Sequence, residues 1–483
     1  MRIIALILFL PLFLLGCRQP QLPEVYTCSN EEPCISPDYI GVTVPVNIAP
    51  ITFKMGDDSK RMAARFKVDD SELVCEGVDI RPAVKDWQRL TKLAAGRSIS
   101  VEVYSKAASG WTRYKEFNVY VSRDSIDPYI SYRLIAPSYM SYGGMTVNQR
   151  CLENYDERIF ASNMIGSSNE NRQCVNCHSY QNYNPERMQF HLRKVNEGTV
   201  IRYDGKMWKV NLRRDSLVSG GVYPAWHPNL PIIAYSTNIT RQSFHTRHLN
   251  KIEVFDSASD LILYDVKVDK VKIVEASPSD FEVFPCWAPD GKSLYYCSAH
   301  FEHKDTISRT KETVLRAEEI RYNIYRKTFD PDTRVFGPRE LVFCAEDVGK
   351  SATLPRISPD GQYLMVTLGN YGVFHIWHHE ADLYIIDLQS DKVRCMSEIN
   401  SDDTESYHSW SSNGRWIVFS SRRNDGNYTR LYFAHIDSRG ICTKPFELPH
   451  KSPSYHKLSL KSYNVPEFMK GPVNVTPQAF AKY

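Results

Sequence analysis

Two cysteines separated by two residues and followed at once by a histidine stand at Cys174-Val175-Asn176-Cys177-His178. Thiols at this spacing each reach one of the two vinyl groups of a single porphyrin, while the adjacent imidazole reaches the iron from one face. The stretch therefore reads as the attachment site of one covalent c-type haem. With 12 Cys and 14 His in 483 residues, chance supplies such a pentapeptide only roughly 0.01 times. A disulfide or half of a zinc site is the alternative. Zinc calls for a second Cys/His pair at ligand spacing, and the chain holds no other C-x-x-C.

On the haem reading Cys174 and Cys177 tether the porphyrin and His178 is the proximal iron ligand. Met188 or His191 is the nearby candidate for the sixth coordination position, since thioether and imidazole both serve there. A hairpin turning at Asn184-Pro185 would set His191 opposite His178 with β-carbons about 5 Å apart. That is too close for two imidazoles to enclose an iron, so His191 needs an irregular hairpin. Met188 and Phe190 read equally well as strand core, and a remote loop histidine or an open site is the other arrangement.

Haem attachment in bacteria takes place outside the cytoplasm, and the start of the chain agrees with export. Met1-Arg2 is basic, and Ile3 to Leu15 is a 13-residue apolar run. That is short of the roughly 20 residues of a spanning helix and suits the core of a signal peptide. Leu14-Leu15-Gly16-Cys17 resembles the bacterial lipobox, which implies removal of residues 1–16 and lipidation of Cys17. Several acyl chains, at about 0.8 kcal/mol per buried methylene, hold a protein on a membrane where one would not. Residues 17–38 then form the lipidated cysteine and its tether. No aspartate follows Cys17, which favours the outer membrane, with the body facing the periplasm.

Composition bounds the remainder. Hydrophobic residues make up 42% of the chain and aromatic residues 12%, a globular mixture long enough for two or three cores. A net charge of +3 gives no field suited to nucleic acid. Apart from Cys17, Cys174 and Cys177, nine cysteines are left, an odd number; Cys28 and Cys34 are the nearest pair for a local disulfide.

The elements that must position the motif emerge from internal repeats. Tyr223-Pro224-Ala225-Trp226-His227-Pro228, Phe284-Pro285-Cys286-Trp287-Ala288-Pro289-Asp290-Gly291, Leu354-Pro355-Arg356-Ile357-Ser358-Pro359-Asp360-Gly361 and Tyr407-His408-Ser409-Trp410-Ser411-Ser412-Asn413-Gly414 share one template. Each precedes an apolar strand: Ile232 to Ser236, Leu294 to Ser298, Tyr363 to Thr367 and Trp416 to Ser420. Asp-Gly and Asn-Gly form the turns between such strands. A second mark follows in each unit, at Ser259 to Asp265, Tyr322 to Tyr325, Ala381 to Asp387 and Thr429 to Phe433.

These units resemble the blades of TolB-type, WD-repeat-like β-propellers over about Cys174 to Leu448. The resemblance implies four antiparallel strands per blade, closed radially. The chain departs from the pattern at His227-Pro228-Asn229, where the Asp-Gly turn is missing. Spacings of 61, 70 and 54 residues between equivalent positions exceed the roughly 40 to 45 of a blade, so each unit carries an insertion. The insertions fall between second and third strands and should share one face, with His245, His248, His300, His303, His375, His378 and His379 on them. The haem segment fits the same template, with Asn184-Pro185 before the strand Met188 to Leu192 and Lys206 to Val210 as second mark. The motif then lies inside the first clear blade.

The expected architecture is all-β: an N-terminal β-sandwich of immunoglobulin or fibronectin type over 39–125, then a five- or six-bladed β-propeller. Residues 126–173 read as a connector, with Ile130 to Cys151 able to supply strands of a sixth blade; 174–448 is the propeller and 449–483 a C-terminal strap. The sandwich rests on period-two alternation in Val42 to Val46, Ala64 to Val68, Ile99 to Tyr104 and Tyr114 to Val121. Hydrolase and nucleotide motifs are absent, including G-x-S-x-G, H-E-x-x-H and the Walker loop, which points away from a hydrolase. The expected function is electron transfer by a haem-bearing lipoprotein that docks a redox partner through the propeller. The alternatives are a TolB-like interaction scaffold with a structural Cys/His cluster, and a peroxidase-like haem enzyme with an open iron site. Fold alone does not choose among them.

Overall fold

A computed structural model of the chain describes residues 20–56, 59–136, 144–166, 173–194, 196–304 and 307–482. The lipidation site expected at Cys17 lies outside them. Among the described residues, no helix is long and apolar enough to cross a membrane.

The chain from Tyr129 onward is a set of four-stranded antiparallel sheets. One holds Cys174–Gln181, Asn184–Arg193, Gly198–Tyr203 and Lys206–Val210. The next is Gly221–Trp226, Ile232–Phe244, Ile252–Asp265 and Lys270–Glu275. It is joined through the pair Ser259/Phe281 to Asp280–Trp287, Ser293–His300, Asn323–Asp330 and Val335–Phe343. Two more follow: Ser351–Ile357, Tyr363–Gly369, Asp382–Asp387 and Lys392–Cys395, then Glu405–Trp410, Trp416–Ser421, Arg430–His435 and Phe446–Glu447. The remaining sheet takes Tyr129–Ile135, Thr146–Cys151 and Glu157–Ser162 from the early chain and Ser462–Met469 from its end.

The first strands of these sheets, with Ser462–Met469 standing first in its own, touch one another in a closed cycle. The fold is a β-propeller. Pairing the late strand with Tyr129–Ile135 leaves no open edge between the two ends of the ring, which removes the template for edge-to-edge aggregation. The expectation of an irregular C-terminal strap therefore fails for Ser462–Met469. Its Pro466 and poor alternation disguise a strand that is covered on both sides, where period two is not required.

The repeat marks fall where the template puts them. Gly291, Gly361 and Gly414 sit in the turns with φ of 71°, 78° and 66°, a conformation glycine adopts without penalty. Where the Asp-Gly turn is missing, His227 Nδ1 accepts hydrogen bonds from the backbone N–H groups of Asn229 (3.0 Å) and Leu230 (2.9 Å), doing the work of the absent aspartate. The second and third strands of one sheet are drawn out into a long hairpin, Ile232–Phe244/Ile252–Asp265.

Upstream, the strand pairings do not by themselves mark out the expected two-sheet sandwich. The described residues give a seven-stranded mixed sheet containing Arg61–Val68, Arg97–Ala107 and Phe117–Ser122, a two-stranded sheet of Ile35–Ser36 and Lys54–Met55, and helix α1 (Val84–Leu93). Trp87, Leu90 and Thr91 are the buried stripe of α1 at i, i+3, i+4. Trp87 stands edge-on to Phe66 at 5.8 Å and donates to the Ile48 carbonyl at 3.1 Å. With one tryptophan and one leucine carrying the packing, α1 leaves little periodic signal in sequence. The sheet is not an isolated body: Val44, Phe66 and Trp87 belong to the same apolar cluster as Ile130, Trp416, Phe433 and Phe468 of the propeller. Cys28 and Cys34 are both free and exposed, so the expected local disulfide is absent, and all eleven described cysteines are unpaired thiols.

Candidate functional site

Every inner strand breaks its register at an equivalent place, where two residues bulge: Cys177-His178, Tyr223-Pro224, Phe284-Pro285, Leu354-Pro355, Tyr407-His408 and Val465-Pro466. The first residue of each pair is left-handed, with φ between 45° and 55°. For non-glycine residues this costs about 1–3 kcal/mol apiece and persists only where the surroundings enforce it. Proline suits the second place because a bulged residue has no ladder partner for an N–H. The Cys177-His178 pair thus occupies a bulge position that elsewhere takes an aromatic or aliphatic residue followed by proline in four sheets and by His408 in the fifth.

Local hydrogen bonds hold this bulge. The Cys177 N–H donates to Asn176 Oδ1 at 2.8 Å, and Gln189 Nε2 donates to the Cys177 carbonyl and, at 3.1 Å, to Ser179 Oγ. The hairpin beyond turns at Asn182-Tyr183, both with positive φ (49° and 63°), two residues earlier than the Asn184-Pro185 turn expected from sequence. The combination of turn and bulge sets His191 opposite Asn176 rather than His178.

The bulges line an axial chamber of about 430 Å³. Cys177, His178 and His191 are on its wall; Cys174 and Met188 are not. Strand alternation explains the split: Met188, Phe190 and Leu192 turn into the apolar cluster shared with the first sheet, while His191 and Arg193 turn to the axis. Of the two sixth-ligand candidates, Met188 is core packing and His191 faces the chamber, its Nδ1 3.1 Å from Thr199 Oγ1. Cys174 is half-buried, its Sγ 3.8 Å from Met145 Sδ.

His178 is 1% exposed and neither ring nitrogen makes a hydrogen bond of good geometry, although the backbone at Ser131 and Val465 lies close enough to favour its protonated form slightly. Burial, reinforced by the nearby Arg133 charge, pushes its pKa down to about 3. Burial likewise brings His191 to about 3 and raises the Cys177 thiol. Both imidazoles are therefore neutral at physiological pH, the form that ligates a metal. His408, at the equivalent bulge position, is bonded through Nε2 to the Met365 carbonyl at 3.1 Å. Tested against a c-type haem, Cys177 and His178 fit: a buried imidazole with both nitrogens unpartnered stands beside a thiol on one chamber wall. Cys174 is placed to join them only after its sulfur leaves Met145.

The loop histidines fall into separate contacts. His245 and His248 lie 5.5 Å apart with tilted rings near the tip of the long hairpin, His300 pairs with Asp280 at 2.7 Å, and His378 lies 5.3 Å from the His375 ring and between Glu253 (3.0 Å) and Glu380 (3.3 Å). Among the described residues, no group of three or more His, Cys, Asp or Glu is arranged to hold a metal ion. Sequence reasoning passed over Arg133 and Arg356, which also line the chamber. The register of the closing strand brings Arg133 to the axis, and no motif marks it.

The class these features define is the β-propeller. No protein-family model matches the chain, and no curated protein matches it. Among solved structures it is similar to a chain of a nidogen/laminin complex (7% identity, TM-score 0.38, 71% of this chain and 100% of that one). It is also similar to a luciferin-regenerating enzyme (12%, 0.37, 72% and 99%) and to Kuenenia stuttgartiensis hydrazine synthase (12%, 0.33, 55% and 64%). At these scores the propeller assignment rests on the chain's own strand order.

Proposed function

We propose that this chain is a lipid-anchored, six-bladed propeller of TolB type that carries one covalent haem c and transfers electrons to a redox partner protein at the periplasmic side of the outer membrane. The observation that carries the reading is His178, a buried imidazole whose two nitrogens make no hydrogen bond of good geometry, next to Cys177 on the axial chamber. A buried polar group left so costs about 1–3 kcal/mol, a cost that ligation would remove. Cys174 and Cys177 would hold the porphyrin and His178 its iron; the group supplies a one-electron couple. Asn176 and Gln189 fix the bulge and so the direction of the imidazole, burial keeps that imidazole neutral, and the apolar bulge residues restrict water. His191, on the same chamber wall, would be the residue to supply a second imidazole ligand.

Cys174, packed on Met145, favours a second reading: a scaffold that docks partners and holds no haem. Expression in a host competent in haem attachment separates the two. The first expects red protein with an α band and haem mass on the peptide holding Cys174 and Cys177, lost when both are changed to serine. Colourless wild-type protein from that host sinks it. A low-spin spectrum then supports transfer, and a high-spin one a haem enzyme.

A further inference from the structure

We propose that the axial chamber is a carboxylate-binding site in which Arg133 is the receiving group. Arg133, on the strand Tyr129–Ile135, is 7% exposed and lines the chamber. Among the described residues its side chain makes no hydrogen bond and no ion pair, and its Nε is buried without a partner. A guanidinium does not give up its proton. Buried and facing no anion, it is among the most unfavourable groups a protein can hold.

The surroundings do not supply that anion. The carboxylates on the chamber wall are Glu197 and Glu467, and Glu467 is engaged by Arg356 at 2.9 Å. Arg193, Lys194 and Arg213 add further positive charge to the same wall. Tyr223, Phe284, Leu354 and Val465 add apolar surface to the same lining. Cations and apolar bulges in one chamber suit a ligand with an apolar body and a carboxylate end. They do not suit a compact, fully hydrated ion such as phosphate. The planar fork of arginine matches a carboxylate with two parallel hydrogen bonds.

Two sources present this chemistry: a free organic acid, or the carboxylate arms of an attached porphyrin. The second source rests on the haem reading; the first does not. Calorimetric titration of haem-free full-length protein with benzoate tests the first, with phosphate as comparison. Benzoate is expected to bind saturably one-to-one and better than phosphate, at least tenfold more weakly in Arg133→Gln, with part of the affinity kept in Arg133→Lys. Should Arg133→Gln not fold, the wild-type preference and Arg133→Lys carry the comparison.

In haem-loaded protein, benzoate should be excluded. Arg133→Gln should lower the midpoint potential, because removing a positive charge near the iron favours the ferric state. Absence of benzoate binding, or binding that ignores Arg133, together with an unchanged potential, overturns the proposal. Colourless protein from a haem-competent host that still binds benzoate through Arg133 removes the haem reading and leaves this one standing.

Discussion

Replacing His178 by leucine should stabilise the haem-free protein, although it alters one of the most buried positions in the chain. Both ring nitrogens are buried without partners, and each unsatisfied group costs about 1–3 kcal/mol. Leucine removes both penalties and keeps an apolar body of similar size. The two penalties together are about 2–6 kcal/mol and imperfect filling of the space returns about 1–2 kcal/mol, so the net gain is between about 0 and 5 kcal/mol. His178→Pro, which copies the residue at four of the other bulges, should act in the same direction. His408→Leu is the internal control: its imidazole is bonded to the Met365 carbonyl, so the same substitution at the same bulge position should cost about 1–3 kcal/mol. Urea unfolding followed by tryptophan fluorescence reads the difference, with a higher midpoint at unchanged slope for His178→Leu. If His178→Leu loses as much as His408→Leu, the imidazole is an ordinary bonded core group. The case for its retention as a ligand then fails. The sign of this difference separates a residue kept for function from one kept for stability.

Other consequences follow from particular contacts. The long hairpin is clasped to the loop holding His375–Trp377 by His378 between Glu253 and Glu380, which hold the His378 pKa up at about 9. For a raised histidine, this stabilisation is complete below the ordinary value of about 6.5 and is lost as pH rises through about 9. Hydrogen exchange over 240–255, corrected for intrinsic rates, should show protection at pH 7 and release by pH 10, and His378→Ala should release it at pH 7. Glu282 is fully buried with both oxygens unpartnered, and burial together with Asp280 and Asp260 pushes its pKa up to about 8. Stability therefore falls as pH rises from about 4.5 to 8. Glu282→Gln should be more stable than wild type by about 2–5 kcal/mol at pH 8 and near-neutral at pH 4, a difference that parallel denaturant titrations at the two pH values check. Removing residues 462–483 takes away the strand paired with Tyr129–Ile135. Light scattering should show association through the uncovered edge, and a monomeric product would mean that the ring does not depend on this closure.

The propeller was legible because its turns are chemical. Asp-Gly and Asn-Gly at 290–291, 360–361 and 413–414 are local signals that read the same in sequence and in space, and they located the first and second strands of three units. The motif at Cys174 was equally local, since two thiols and an imidazole at fixed spacing need no tertiary context to be recognised. Helix α1 and the closing strand Ser462–Met469 escaped because each is held by partners hundreds of residues away or by a single tryptophan. What the motif residues face was settled by tertiary structure alone. The two-residue bulge and the turn at Asn182-Tyr183 carry Cys177, His178 and His191 to the axis, while Cys174 packs on Met145 and Met188 enters the core. Residue type sets what chemistry a side chain can perform, which sequence records; burial, register and the approach of Arg133 depend on strands that meet only when the ring closes.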